Sequence, residues 1–217
     1  MEQAEAESPG ARAVMSLAAF YAPGNIPEEL FKQSPDIYPP ALQPVVASES
    51  RLTEAVSALD HLSLADFDPA ERTFSVHRLV QAAVRDALGS TEAETEWIAA
   101  AVMACAAAYP GQDFQHWQAY ERLLPHARTA GNIAPEGVGL PLASLLNQAG
   151  FYLYNRAAYA EALPLYERAL AIWEKALGPG HPSTKRVSAN LAAPSGAAKQ
   201  GLTAINRTGG GGVRAHF

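Results

Sequence analysis

The feature that most constrains this chain is a helix–turn–helix pattern that begins to repeat near its C-terminal end. Gln148-Ala149-Gly150 and Asn190-Leu191-Ala192 occupy corresponding places, and the difference 190 − 148 gives a period of 42 residues. Large and small residues alternate along the second predicted helix, as at Ala162, Tyr166 and Ala169, so a facing helix can interdigitate with them. One such unit cannot bury its own apolar face. The pattern therefore predicts a stack of helices that serves binding rather than catalysis.

The pattern predicts one complete repeat and one partial repeat within residues 139–193. The first helix is expected from about Leu142 to Tyr154 and the second from about Tyr159 to Leu177, where Gly178-Pro179-Gly180 ends it. The unit resembles the tetratricopeptide repeat, and its long period is similar to that of the kinesin-light-chain type. This resemblance implies an α-solenoid that binds a protein or peptide partner on its concave face.

In the tetratricopeptide family, side chains of the first helix of each repeat usually line the concave face. The resemblance therefore implies a set of polar candidates for contacting an extended peptide. They are Asn147, Gln148, Tyr154 and Asn190. The sequence leaves open the alternative that these side chains are merely solvated.

The repeat pattern breaks after Ala193, where Pro194-Ser195-Gly196 interrupts the predicted helix. Residues 194–217 have the composition of a linker, with four glycines at 209–212, and are predicted to be a disordered Gly-rich tail. About three repeats are normally needed for a stable array. We therefore expect a fragment or frameshifted product rather than a natural one-and-a-half repeat.

The N-terminal part of the chain mixes helical and strand patterns. Residues 1–12 are predicted to be a disordered leader. Residues 13–90 contain three predicted helices, two short strands at 62–65 and 73–76, and a further helix from His77 to Leu88. The core side of that last helix is predicted to consist of Leu79, Val80, Val84 and Leu88. These elements make a winged-helix-like domain with a small β-hairpin, and residues 91–138 follow as a helical linker. The predicted fold class is mainly α.

The order Phe74-Ser75-Val76-His77-Arg78-Leu79 resembles the winged-helix segment of STAND signalling ATPases of the NB-ARC type. That segment carries a Met-His-Asp motif whose histidine senses the phosphate of bound ADP. His77 matches the histidine, whereas Val76 replaces the methionine and Arg78 replaces the aspartate. The resemblance implies that His77 is a nucleotide sensor. The residues themselves leave open that His77 only caps or packs at a strand-to-helix junction.

The chain has no G-x-x-x-x-G-K-[ST] sequence, and so it lacks the loop that cradles phosphates in such ATPases. The resemblance then implies that the ATPase core lies upstream and that ADP or ATP binds only when that core is present. We expect a non-catalytic regulatory and protein-interaction region of a STAND-like signalling protein, with no cofactor of its own. The alternative is a nucleotide-sensing part of an NTPase that acts through His77.

Composition and charge argue against several other classes. The net charge of −6 and the pI of about 5.5 disfavour nonspecific binding to nucleic acid or to anionic membranes. The predicted wing, residues 62–76, contains three acids and only Arg72 as a base, so a winged-helix DNA-binding regulator is disfavoured. The longest apolar run, Trp97 to Tyr109, is shorter than the ~18 residues of a membrane span. The sequence predicts a cytoplasmic protein.

No residue pattern points to catalysis or to metal binding. Cys105 is the only cysteine and is predicted to be a small buried side chain in an apolar helix. His116 and His126 lack cysteine or carboxylate partners at ligand spacing, so no zinc site is expected. The glutamates cluster at helix starts, where the helix dipole explains them. We expect that the chain is not an enzyme.

Overall fold

The computed structural model describes residues 2–110 and 116–192, with side chains described for all of these except residues 190 and 192. This part of the chain is mainly helical and confirms the predicted fold class of helices, a small sheet and a repeat region. The elements are α1 (Glu2–Glu7), α2 (Ala11–Ala18), β1 (Ile26–Pro27), α3 (Gln43–Val46), α4 (Glu49–His61), β2 (Asp66–Asp68), β3 (Thr73–Ser75), α5 (Arg78–Ala87), α6 (Thr91–Ala108), α7 (Trp117–Ile133), α8 (Leu140–Asn155), α9 (Tyr159–Leu177) and α10 (Pro182–Ala192). The predicted tail at 194–217 lies outside the described residues.

The helix α2 is the centre of the N-terminal unit. Every residue from 13 to 21 is buried, because α1, α4, α5 and α6 all contact this helix. Aromatic side chains extend the core past the helix end, since Phe20 and Tyr21 are almost fully buried. The apolar segment 13–21 thus provides the core around which the other elements are arranged.

The N-terminal unit contains a three-stranded antiparallel sheet with the order β1-β3-β2. Ile26 of β1 and Phe67 of β2 both lie opposite Phe74 of β3. The predicted strand at 73–76 is confirmed as β3. The two-residue strand β1 has no counterpart among the predicted elements, because so short a strand gives no alternation of apolar and polar residues.

The predicted strand at 62–65 is wrong. The chain at the end of α4 turns back on the helix, with the backbone N–H groups of Leu64 and Ala65 donating to the Leu59 carbonyl at 2.9 and 3.3 Å. Ser63 has a positive φ of 56°, which is incompatible with a strand. The strand that pairs with β3 in the hairpin is Asp66–Asp68. Its single apolar residue, Phe67, lies between two acids, so the sequence pattern does not predict a strand there.

The prediction of a disordered leader over residues 1–12 is wrong for the described residues of that segment. They form α1 and the start of α2, and Ala4 is fully buried. The Glu5 carboxylate ties the two helices together, because it accepts hydrogen bonds from the backbone N–H groups of Gly10 and Arg12, both at 2.9 Å. The Glu5 carboxylate thus stabilises the start of the next helix.

The helix α5 follows the hairpin and packs mainly on α2. Val84 is buried and Val80 and Leu88 are partly buried, in agreement with the prediction. The prediction for Leu79 is wrong, because its side chain is 71% exposed. Leu79 lies in the first turn of α5, and α2 covers the other side of the helix, where the buried Gln81 donates hydrogen bonds to carbonyls at the end of α2.

The helices α6 and α7, predicted as a linker, form a packed layer between the N-terminal unit and the repeat. Both contact α8, and α6 also contacts α2 and the short 3-10 helices at Glu28–Phe31 and Pro35–Ile37. Buried alanines such as Ala100, Ala101 and Ala104 allow neighbours to approach α6 on several sides. The predicted linker therefore belongs to the continuous core of the protein.

The helices α8 and α9 form the complete repeat, and α10 packs on α9 as the start of the next. A Cβ atom on Gly150 would lie 3.1 Å from the ring of Tyr166, so the small residue allows the two helices to approach closely. Gly178 ends α9 with a positive φ of 84°. Val187 anchors α10, since its side chain is fully buried.

His126 of α7 joins the helical layers to the N-terminal unit. The side chain is 1% exposed, its Nε2 donates to the carbonyl of Asn25 at 3.1 Å, and its ring meets the Tyr21 ring edge-on at 5.9 Å between centroids. Its Nδ1 is buried and has no hydrogen-bond partner among the described residues. One turn earlier, Arg122 forms an ion pair with Glu29 at 2.6 Å. These contacts fix how α7 lies against the N-terminal unit.

Lowering the pH is expected to destabilise the fold through His126. Burial lowers the pKa of His126 from 6.5 to about 4. The unfolded chain binds this proton below pH 6.5 and the folded chain only near pH 4, so the free energy of unfolding falls as the pH drops through this window. The loss is at most about 3 kcal/mol.

Urea denaturation at pH values from 7 to 4 measures this effect. The variant His126→Gln should lose the part of the pH dependence that comes from this buried side chain, whereas His116→Gln, which removes an exposed histidine just before α7, should keep it. An unchanged pH dependence in His126→Gln would contradict the assignment.

The substitution Gly10→Ala is expected to lower the free energy of unfolding by about 2–4 kcal/mol, from backbone strain together with overpacking. Gly10 has a φ of 97°, and a Cβ there would lie 2.1 Å from Cγ2 of Val45. Gly24→Ala is the control, because nothing lies within 4 Å of a Cβ at that position. Chemical denaturation of both variants checks the prediction, which fails if their stabilities are equal.

Candidate functional site

The surface of α8 that stays open to solvent is mainly one stripe of half-buried residues. Pro141, Ser144, Gln148, Phe151 and Asn155 recur at spacings of three and four and therefore share one face of the helix. The other sides of α8 contact α6, α7 and α9. We call these five residues the α8 stripe. It is the part of the repeat's first helix that is most accessible to a partner.

The structure separates two of the predicted partner-binding residues. Gln148 belongs to the α8 stripe, whereas Asn147 is only 4% exposed and lies in the interior. Neighbouring residues on a helix point about 100° apart, so the two side chains cannot occupy the same face. Oδ1 of Asn147 and Oε1 of Gln148 are buried without a hydrogen-bond partner among the described residues. Of this pair, only Gln148 is placed to meet a partner.

The other two predicted residues lie at the ends of the repeat. Tyr154 is half-buried at the end of α8, where its ring meets the ring of Tyr159 at 5.1 Å between centroids and closes the turn into α9. Asn190 lies in α10, and its side chain is outside the described residues. Tyr154 therefore packs against Tyr159 and still leaves part of its surface accessible to solvent.

Phe151 is a stripe residue that sequence reasoning missed. The predicted candidates were chosen for their polar groups, and Phe151, three positions after Gln148, has none. Its half-buried ring packs partly against the core and leaves the rest of its surface to solvent. An accessible aromatic ring of this kind is a common anchor in protein interfaces. The helical spacing from Gln148 was the signal that would have identified it.

Aromatic contacts fix the C-terminal end of α8 against α7. Tyr152 stacks on Tyr120 with 5.6 Å between centroids and meets Trp117 edge-on at 6.2 Å. Arg156 lies over the Trp117 ring at 5.9 Å. Because Tyr152 directly follows Phe151, these contacts also fix the orientation of the α8 stripe.

The stripe itself carries no charged residue. The nearby partial repeat adds two exposed cations, Lys185 and Arg186 of α10, and no acidic residue. The α8 stripe is thus polar and aromatic, and α10 adds exposed positive charge to the repeat region, although the whole chain has a net charge of −6.

His77 lies between β3 and α5 and is exposed. Its Nδ1 accepts a hydrogen bond from the backbone N–H of Leu79 at 3.2 Å, so the side chain caps the N-terminus of α5. With Nδ1 accepting in the neutral ring, the proton is on Nε2. A cleft of about 710 Å³ lies beside it, lined also by Arg78, Asp60 and Asp66. The capping role left open by the sequence is present in the structure.

The predicted wing offers little to a nucleic acid. Arg72, its only base, donates to the carboxylates of Glu28 at 2.6 Å and Glu49 at 2.7 Å. The hydrogen bond to Glu28 raises the pKa of Arg72. Lys32 completes the network, with Nζ 3.1 Å from Glu28 and 2.9 Å from Glu49. The guanidinium of Arg72 therefore neutralises carboxylates of its own chain.

The cysteine thiol, possible metal ligands and possible membrane-spanning helices provide no further candidate site in the part of the chain that the structure describes. Cys105 is fully buried, as predicted, and burial raises the pKa of its thiol. Within residues 2–110 and 116–192, no three His, Cys, Asp or Glu side chains come together as ligands for a metal ion. None of the helices in these two ranges is long and apolar enough to cross a membrane.

Two family models match separate parts of the chain. A model described as a tetratricopeptide repeat matches residues 142–183, which cover most of α8, all of α9 and the start of α10. A model described as a domain of unknown function, DUF7779, matches residues 3–93, from α1 into the first turn of α6. No curated protein and no solved structure matches the chain. The tetratricopeptide part of the predicted resemblance is thereby supported.

Two substitutions at His77 test the capping role. His77→Ala removes the acceptor and should lower the free energy of unfolding by about 1 kcal/mol, whereas His77→Asn should retain most of it, because asparagine is a good N-cap. Thermal and urea denaturation of the two variants measure the difference. Equal losses would contradict capping. Titration of the unaltered chain with ADP addresses nucleotide sensing separately, because tight binding would contradict the expectation that ADP binds only when the upstream core is present.

Proposed function

We propose that this chain is a non-catalytic regulatory and protein-interaction region of a STAND-like signalling protein, in which the repeat binds a partner. The observation that carries the proposal is the tetratricopeptide match over residues 142–183, which indicates a role in protein–protein interaction. The matched helices present the α8 stripe to solvent. A surface of this kind fits an extended peptide or a segment of a protein partner.

The N-terminal unit is proposed to act as a winged-helix relay. Support comes from the order of elements, in which α2, α3 and α4 precede the hairpin β2–β3 and α5 follows it. The short strand β1 completes the sheet beside β3. Further support comes from the junction, where His126 and Arg122 of α7 contact Asn25 and Glu29 of this unit. A shift of the helical layers would therefore displace Asn25 and Glu29 and so be transmitted to the N-terminal unit.

Three side chains that could act as nucleophile or base are buried or hold the fold together. This favours a role without catalysis. Cys105 is buried, His126 is buried against Asn25, and His77 caps α5. Each of them has a structural role that accounts for its presence. Nucleotide sensing through His77 stays a prediction, as does cytoplasmic localisation, and the paired Arg72 disfavours DNA binding.

Phe151 is expected to be an anchor for the partner. A random peptide library displayed on phage is first selected for binding to the full chain. The selected peptides are then synthesised and used as ligands in calorimetry. Phe151→Ala should weaken their binding by about 10-fold or more, because truncating an interface aromatic commonly removes more than 1 kcal/mol.

The matched control is Leu170→Ala, which removes another partly buried apolar side chain, on α9 and outside the α8 stripe. It should bind the peptides as the unaltered chain does. The proposal fails if no peptide binds, or if Phe151→Ala and Leu170→Ala bind equally well.

A further inference from the structure

A second candidate site lies away from the repeat, in a cavity of about 680 Å³ among α2, α4, α6 and the turn between α1 and α2. Its apolar lining includes Ala13, Val45, Leu88 and Trp97. Trp97 is 7% exposed, so its ring belongs to the wall rather than to the outer surface. The volume is in the range of pockets that hold small molecules.

The walls of this cavity are fixed by packing. The turn at Gly10 lies so close to α3 that a Cβ would come within 2.1 Å of Val45. The short helix α1 is held by the hydrogen bonds that Glu5 accepts at the start of α2 and by the contact between Glu7 and His61 at 2.9 Å. The cavity is therefore preformed, and a ligand would not need to order its walls.

Two arginines from different helices line the cavity without a carboxylate partner among the described residues. Arg12 extends from α2 and Arg51 from α4, and neither forms an ion pair within the described residues. The one hydrogen bond recorded for the Arg51 guanidinium is a long one of 3.4 Å to the Pro44 carbonyl. Arg12 also lines an adjoining cavity of about 550 Å³ beside Val84 and Leu88. These guanidinium groups remain available to an anion.

The acids of the cavity oppose this charge only in part. Both carboxylate oxygens of Glu5 accept backbone N–H groups at the start of α2, so its negative charge is offset by the helix terminus. Glu54 is exposed and lies one turn after Arg51 on α4, where it also borders a different cavity near His61. Arg12 has no acid beside it on α2; the acids near it are Glu5, which accepts the backbone N–H of Arg12 at 2.9 Å, and Glu2, which lines the adjoining cavity.

We propose that this cavity binds an amphipathic organic anion, such as an aromatic carboxylate or sulfonate. The apolar body would lie against Trp97 and Leu88, and the acidic head would accept hydrogen bonds from Arg12 and Arg51. The whole chain is acidic, so the affinity must come from these local cations rather than from the overall charge. This site is independent of partner binding by the repeat.

The probe for the test is anilinonaphthalene sulfonate, an aromatic anion whose fluorescence rises in apolar surroundings. It should bind the full chain at a single saturable site. The double variant Arg12→Gln/Arg51→Gln should weaken this binding by about 10-fold, because two charge-assisted hydrogen bonds are lost. Both side chains are exposed, so the variant is expected to fold, and circular dichroism verifies this.

Two controls make the result specific. Arg186→Gln removes an exposed arginine on α10, far along the chain from the cavity, and should bind the probe normally. Phenylnaphthylamine has the same apolar body without the sulfonate, and the double variant should not alter its binding. Non-saturable binding, equal affinities of the double variant and Arg186→Gln, or an equal loss for the uncharged probe would each overturn the proposal.

Discussion

The structure depends on covering the apolar sides of α8. Leu142, Leu145 and Leu146 are almost completely buried, and α9 alone cannot cover all of them. The helices α6 and α7 contact α8 from the preceding layer, while α10 adds a partial layer on α9. About three repeats are normally needed for a stable array. Here the two helices expected to be a linker take the place of a preceding repeat, so one complete repeat has neighbours on both sides.

The same two helices make the N-terminal unit and the repeat parts of one packed body. The helix α6 contributes buried side chains to the core around α2, and α7 contributes His126 and Arg122 to the junction. Apolar contacts between α6 and α2 stabilise this body, because they exclude water. The directional hydrogen bond from His126 to Asn25 restricts how the layers can lie against each other.

The sequence predicted the long elements well and the local ones poorly. The bounds of α9 agree with the expectation, because its apolar spacing continues for five turns and Gly178 ends it. The strand at 62–65 was misplaced, since its N–H groups bond back to Leu59, a contact that apolar spacing does not encode. For the candidate site, the sequence located the residues on α8 and α10 without showing which of them reach solvent. Helical periodicity could have shown that Asn147 and Gln148 face different ways, whereas which of them faces solvent depends on where α6 and α9 lie.

The two candidate sites are connected through α6. Trp97 of this helix lines the cavity, and the same helix contacts α8, whose stripe is the proposed partner surface. Coupling between such sites requires an element with two arrangements that each ligand favours differently. The large side chains of Trp97, Ile98 and Val102 in α6 are buried together with its alanines, and Gly150 lets α8 and α9 approach closely. Helix α6 is packed against α2 on one side and α8 on another, so it holds both sites within one rigid core. Binding at either site is therefore expected to leave the affinity at the other unchanged.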